Sequence, residues 1–171
     1  MRPEMLAGNQ ALDYWVDACQ RSILFWDVMR KRGNIALEHH RGGKPPVLVF
    51  DYETVLDGRS LERPVNYALL RILPKDARQI DPTKRPFVIF DPRAGHGPGI
   101  GGFKEASQVG VAMRAGHPCY FISFYPNPVA GQRIEHIAWA EAEFIRHVAA
   151  LHPDCNGNPV VIGNCQAGWA I

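Results

Sequence analysis

The chain has 171 residues and a formal net charge of +2, with 46% hydrophobic and 21% charged residues. This length and composition are typical of one globular domain that buries a sizeable core. A charge so near zero, with no basic cluster interleaved with aromatic residues, excludes nucleic acid as an expected partner. No apolar run approaches the ~18 residues of a membrane span. The 4 cysteines lie too far apart for a metal or redox motif, so we expect a cytoplasmic protein without a metal.

The first 44 residues are predicted to form a helical segment followed by a linker. Apolar and aromatic side chains recur at three- and four-residue steps over residues 10–32, and Gly33-Asn34 supplies a stop signal. Arg41–Pro46 has the glycine and proline content of a linker. We expect the helix to dock on the body of the protein or on a partner; a membrane-surface or granule-surface helix is the alternative.

Residues 45–171 are predicted to form the N-terminal part of an α/β domain. Val47–Phe50 and residues 66–73 are candidates for early antiparallel strands. From Pro86 onward, strands alternate with helices, an order that predicts a parallel sheet with right-handed crossovers. The strands are expected at 87–90, 120–124 and 159–162, and the helices at 102–115 and 134–151.

Gly163–Gly168 is the most informative stretch, because it places Cys165 directly after the apolar run Pro159–Ile162. A short buried strand, a tight turn that carries a nucleophile and a helix start form the nucleophile elbow of α/β-hydrolase folds, here with cysteine in place of serine. The elbow presents Cys165 above the sheet, where the backbone N–H of Gln166 can stabilise an oxyanion. A buried, purely structural cysteine is the alternative interpretation.

The glycine-rich loop after the first strand of the alternating region is a candidate for the second oxyanion donor. In α/β-hydrolases the loop after the third strand contributes a backbone N–H, which makes Ala94, Gly95 and His96 the candidate oxyanion-loop residues. Gly97–Gly102 also matches the dinucleotide fingerprint GxGxxG, but the acidic residue expected about 20 residues further on is missing from Phe124–Asn127. No nucleotide cofactor is therefore expected. A flexible surface loop is the remaining alternative.

These motifs resemble a known family. Gly163–Gly168 resembles the GxCxGG lipase-like box of poly(3-hydroxyalkanoate) synthases, with Ala167 in place of a glycine, and Phe121–Pro128 resembles the strand and turn that precede that box. Over nearly its whole length the chain is similar to the synthase-like proteins grouped as domain of unknown function 3141. Three further runs carry this similarity: Gln20–Asp27, Asp57–Arg59 and Arg63–Tyr67.

The resemblance implies an α/β-hydrolase-like, mostly parallel sheet with flanking helices, preceded by an N-terminal helix and truncated after the elbow. It implies an acyltransferase in which Cys165 takes the acyl group of a hydroxyacyl-coenzyme A thioester, with acyl-coenzyme A as substrate and no further cofactor. The Asp and His of the family's triad follow the nucleophile, so residues 1–171 alone are expected to be inactive. The alternatives are an esterase or thioesterase on the same elbow, or a non-catalytic protein of polyester granules. An oligomer is compatible with each of them.

Overall fold

The computed structural model describes residues 3–76, 79–93, 101–169 and 171. The chain divides into two compact units, Met1–Lys44 and Pro45–Ile171. None of the helices in the described part of the chain is both long and apolar enough to span a bilayer.

The first unit is one long helix, α1 (Pro3–Arg41). The helix predicted over residues 10–32 is confirmed, but the stop predicted at Gly33-Asn34 is wrong. A glycine inside a helix costs only about 1 kcal/mol relative to alanine, which the helix formers on either side offset. The helix ends instead at Arg41, just before Gly43 and Lys44, whose φ values of 78° and 54° are left-handed. Large apolar side chains are exposed on α1, and the docking surface expected for this helix stays a prediction.

The second unit is built on a five-stranded sheet with the strand order β1-β2-β4-β3-β5. The strands are β1 (Tyr52–Asp57), β2 (Tyr67–Ile72), β3 (Phe87–Phe90), β4 (Cys119–Phe124) and β5 (Val160–Ile162). The pairings β1–β2 and β2–β4 are antiparallel, whereas β3 is parallel to both β4 and β5. The described sheet is therefore mixed rather than mostly parallel, and the fold is α/β.

Two helices cover the two faces of this sheet, α2 (Gln108–Arg114) and α3 (Ile134–Leu151). Val88 and Phe90 belong to the core cluster on the α3 side, and Ile89 belongs to the cluster on the α2 side. Burial of both faces explains why β3 is a continuous apolar run without polar alternation.

The opposite placement of α2 and α3 follows from the strand order. β4 lies on one side of β3 and β5 on the other, so the two crossovers run in opposite directions along the sheet. Crossovers of the same hand then leave their helices on opposite faces. Because β3 and β5 are parallel neighbours, the loop after β3 and the turn after β5 begin at the same edge of the sheet.

Val47–Phe50, predicted as a strand, is not one, and the first strand begins only at Tyr52. Leu48 and Phe50 pack against the core cluster on the α2 side. The backbone N–H of Val49 donates to the carbonyl oxygen of Gly102 at 3.1 Å. This apolar run is therefore irregular chain with two partly buried side chains, whereas Val47 and Val49 are exposed.

The helix predicted over residues 102–115 is shorter in the structure. α2 begins after Ser107, whose hydroxyl accepts a long hydrogen bond of 3.4 Å from the N–H of Gly110. It ends before Gly116, which has a φ of 87°. The segment that precedes Ser107 forms turns and bends instead of helix.

Candidate functional site

Cys165 lies in a strained turn just beyond β5. Its φ is 56°, a left-handed conformation that is uncommon for a residue other than glycine and costs roughly 1–2 kcal/mol. Its side chain is exposed, and a short 3₁₀ helix over Cys165–Trp169 follows at once. The backbone N–H of Ala167 closes the turn on the carbonyl oxygen of Asn164 at 3.1 Å. An exposed thiol on a strained strand-to-helix turn is sterically available to a substrate.

The turn is fixed to the protein core by its small residues. Ala167 is completely buried in the cluster on the α3 side of the sheet. A Cβ at Gly163 would overlap the side chain of Ile171 and would lie 3.2 Å from the carbonyl oxygen of Ala167. A larger residue at the first position of the motif would therefore displace the Ile171 side chain and press on the Ala167 carbonyl oxygen. The buried methyl group of Ala167 attaches the turn to the core.

The loop after β3 begins with a tight turn that joins Asp91 to Arg93. The backbone N–H of Asp91 donates to the carbonyl oxygen of Ile122 at 2.9 Å. The Asp91 carboxylate accepts from the backbone N–H of Arg93 at 2.8 Å. Burial raises the pKa of Asp91 to about 6, although the hydrogen bond from Arg93 opposes that shift. Arg93 itself is left-handed, with a φ of 57°.

The three candidate oxyanion-loop residues, Ala94, Gly95 and His96, lie outside the described residues. Their role stays a prediction. The role of the Gln166 N–H also stays a prediction, whereas the carbonyl group of the same residue has a defined partner in Arg93.

The guanidinium of Arg93 connects this loop to the turn after β5. Its Nη1 donates to the carbonyl oxygen of Gln166 at 3.3 Å, and its Nε donates to the hydroxyl of Tyr67 at 2.8 Å. Its Nη2 forms an ion pair with the carboxylate of Glu141. The rings of Tyr67 and Trp169 lie against the guanidinium, with centroids 5.2 and 4.8 Å from Cζ. One side chain therefore contacts the Cys165 turn and two other elements.

The ion pair is buried, because the Arg93 and Glu141 side chains are only 9% and 1% exposed. Burial raises the pKa of Glu141 to about 7, while the adjacent guanidinium acts in the opposite direction. Burial also raises the pKa of Tyr67, against the same guanidinium. Among the described residues, Oε2 of Glu141 has no hydrogen-bond partner. Charges removed from water in this way carry a large desolvation cost.

Two histidines have defined partners elsewhere in the unit. Nδ1 of His117 lies 2.9 Å from the carbonyl oxygen of Arg85, at the edge where β3 and β4 begin. Nε2 of His152 lies 2.8 Å from the hydroxyl of Tyr120, and burial lowers the pKa of His152. Within the described residues, no group of His, Cys, Asp and Glu side chains is arranged to hold a metal ion.

Sequence reasoning missed the Arg93–Glu141 pair, although α3 carries a local signal for it. Ala138 and Ala142 lie among the regularly spaced apolar residues of α3, but the helix buries a face shifted from these two positions. A charged residue inside an apolar face predicts a buried partner of opposite charge. The buried residues of α3 are Ala140, Glu141, Phe144 and Val148.

The chain is similar to known proteins over nearly its whole length. The model of the family described as "Protein of unknown function (DUF3141)" matches residues 17–171. A protein of Rhizobium meliloti described as "Uncharacterized protein in ackA 5'region" is 60% identical over 169 residues. That match covers 99% of this chain and 23% of the relative, so the chain spans less than a quarter of the length of the curated relative it matches. No solved structure matches the chain.

Proposed function

Because the chain belongs to the DUF3141 family of proteins of unknown function, we propose a function from its own site: it supplies the nucleophile of an acyltransferase of the poly(3-hydroxyalkanoate) synthase type. The substrate is a hydroxyacyl-coenzyme A thioester, and Cys165 accepts the acyl group. The observation that carries the proposal is the left-handed backbone of Cys165, with a φ of 56°, in the exposed turn that follows β5.

The positions of β3 and β5 support an α/β-hydrolase-like arrangement as part of the proposal. In that arrangement the nucleophile turn and the loop with the second oxyanion donor meet at the carboxyl edge of the sheet. Ile89 and Ile162 are register partners in neighbouring parallel strands. The loop that follows Phe90 and the turn that carries Cys165 therefore leave the sheet side by side.

The proposed reaction begins when the Cys165 sulfur attacks the thioester carbonyl carbon while the thiol proton passes to a base. The resulting tetrahedral intermediate has a negative oxygen, for which the Gln166 N–H and an N–H of the loop after β3 are the donors. Its collapse breaks the carbon–sulfur bond to coenzyme A, which leaves as a thiol with that proton. Exchange of one thioester for another is nearly isoenergetic, which suits a cysteine nucleophile. In this proposal the base and its carboxylate partner follow Cys165 in the full-length protein, beyond residue 171.

The test is the intact mass of the full-length protein after exposure to 3-hydroxybutyryl-coenzyme A. We expect one hydroxybutyryl adduct that peptide mapping assigns to Cys165, and we expect Cys165→Ala to abolish it. Cys19→Ala is the matched control, because Cys19 is also an exposed free cysteine; this variant should be acylated like the unmodified protein. An adduct that persists in Cys165→Ala would disprove the assignment of the nucleophile.

The products separate the proposal from its alternatives. Growth of an ester oligomer supports the acyltransferase, whereas release of free hydroxybutyrate without oligomer indicates a thioesterase on the same turn. A folded protein that binds polyester granules and forms no adduct would contradict the proposal and would favour the non-catalytic alternative.

A further inference from the structure

We propose that Arg93 and Glu141 are positioning residues for the Cys165 site, because their buried ion pair fixes the loop after β3 against the turn after β5. The inference rests on the proposed function, since what the pair positions is the oxyanion environment of Cys165. It adds two residues that the nucleophile-elbow motif does not include.

The contacts of Arg93 show how one side chain can hold both loops. Its backbone belongs to the loop after β3, where the Asp91 carboxylate accepts from its N–H at 2.8 Å. Its side chain reaches the carbonyl oxygen of Gln166 at 3.3 Å. That carbonyl belongs to the residue whose N–H is the predicted oxyanion donor. The carbonyl and the N–H of Gln166 lie in successive peptide planes joined at its Cα, so a fixed carbonyl limits how the donor can reorient.

The other contacts of Arg93 hold the guanidinium itself in place. Nε donates to Tyr67 on β2, and Nη2 pairs with Glu141 on α3. Trp169 in the 3₁₀ helix after Cys165 lies against the same group. A planar guanidinium can serve three acceptors from fixed directions, whereas a lysine ammonium acts as a compact point charge. The geometry thus requires arginine in particular.

Stability alone does not explain a buried ion pair at this position. Replacing a buried ion pair by apolar residues of similar size often leaves protein stability unchanged or raises it. Removing only one partner instead leaves a buried charge unpaired, which is destabilising. The informative change is therefore the double variant Arg93→Met/Glu141→Met, which removes both charges together. It should fold, and it should leave the Gln166 carbonyl without its donor.

The experiment compares two reactions of the Cys165 thiol in the full-length protein. One is acylation by 3-hydroxybutyryl-coenzyme A at saturating concentration, which uses the oxyanion donors. The other is alkylation by iodoacetamide, a displacement at a saturated carbon that forms no oxyanion. We expect the double variant to lose about 10- to 100-fold in acylation rate. Alkylation should stay within about twofold, because the thiol remains exposed.

Arg146→Met/Glu143→Met is the matched control, since this pair joins an arginine and a glutamate on the exposed side of α3 at 3.0 Å. Both of its rates should equal those of the unmodified protein. Arg93→Lys tests whether the planar guanidinium is needed to reach its three acceptors. We expect Cys165 of this variant to be acylated about as slowly as in the double variant. Full rescue by lysine would overturn the proposed three-way contact.

The outcomes distinguish this proposal from the proposed function. Acylation of the double variant at the unmodified rate would overturn the positioning role and leave the nucleophile intact. Equal losses in acylation and alkylation would also overturn it, because they indicate a general collapse of the turn. An unmodified protein that is alkylated at Cys165 but never acylated would overturn the proposed function, and the positioning role with it.

Discussion

Arg93 and Cys165 share a left-handed backbone, with φ values of 57° and 56°. Each is the third residue after the end of its strand, Phe90 for β3 and Ile162 for β5. Since β3 and β5 are parallel neighbours, the chain leaves the sheet twice at one edge through the same unusual conformation. Only glycine adopts that conformation without cost.

Replacement of Cys165 by glycine and by alanine should measure the strain in its turn. We expect Cys165→Gly to be more stable than Cys165→Ala by about 1 kcal/mol, because alanine keeps the Cβ that a positive φ disfavours. Urea unfolding of the two variants of the full-length protein gives this difference.

The same two substitutions at Cys155 are the control, because the φ of Cys155 is not positive. There the glycine variant should be the less stable of the two, since glycine loses more backbone freedom on folding. Equal effects at both positions would mean that the turn at Cys165 carries no strain.

Gly110→Ala should destabilise the protein although the residue lies inside α2. A Cβ at this position would overlap the carbonyl oxygen of Glu105, which is backbone and cannot rotate away. Overpacking of this kind costs about 1–3 kcal/mol. Gly33→Ala is the opposite case, because nothing lies within 4 Å of a Cβ at that position of α1. It should be neutral or slightly stabilising in a thermal melt, as helix propensity predicts.

Asp91→Asn should gain stability relative to the unmodified protein as the pH rises. Burial raises the pKa of Asp91 from its ordinary 3.8 to about 6, so the folded protein binds this proton more tightly than the unfolded chain does. The stabilisation of the folded protein that comes from this tighter proton binding is fully present below about pH 4, and it is lost as the pH rises through 6. Asparagine cannot ionise, and its side-chain oxygen can still accept from the N–H of Arg93.

The measurement for Asp91 is urea unfolding of both proteins at pH 4, 5, 6 and 7. The difference in unfolding free energy should change by up to about 3 kcal/mol in favour of the variant. The carboxyl of Glu141 also has a raised pKa, but it is present in both proteins and its effect cancels in the difference. A difference that does not vary with pH would contradict the raised pKa of Asp91.

Gln132→Ala should destabilise the loop after β4. The side-chain Oε1 of Gln132 accepts from the backbone N–H of Asn66 at 2.9 Å, and its Nε2 donates to Oδ1 of Asn66 at 2.6 Å. Asn66 is buried, so truncation leaves polar atoms without partners at a cost of about 1–3 kcal/mol. Combination with Asn66→Ala should cost less than the sum of the single changes, measured by urea unfolding. Strict additivity would show that the two side chains do not interact.

The strands after Pro86 could be predicted from the sequence because burial on both faces makes them continuous apolar runs. Phe87–Phe90 is a strand with the predicted bounds. β1 was missed because Tyr52–Asp57 is a partly exposed edge strand with a polar composition. The more apolar Val47–Phe50 has the composition of a strand, yet it follows two prolines, and its Leu48 and Phe50 pack on the core from irregular chain.

The turn at Cys165 could be located from the sequence because its glycines and the preceding apolar run are contiguous. The Arg93–Glu141 pair could not be located in the same way. Its two members are 48 residues apart, and their contact depends on how α3 lies across β3. Local periodicity identifies the buried face of a helix. It does not identify the loop residue that will form an ion pair with a charged residue on that face.

The distance along the sequence between paired strands has a consequence for folding kinetics. Asp57 pairs with Ala68 across a short connection, whereas Phe87 pairs with Val160 only after a loop that contains α2, β4 and α3 has closed. Closing a longer loop costs more chain entropy before its contacts can compensate. We therefore expect a refolding chain to assemble β1 and β2 early and to add β5 last. The exposed thiol of Cys165 would then reach its final geometry only in the last step of folding.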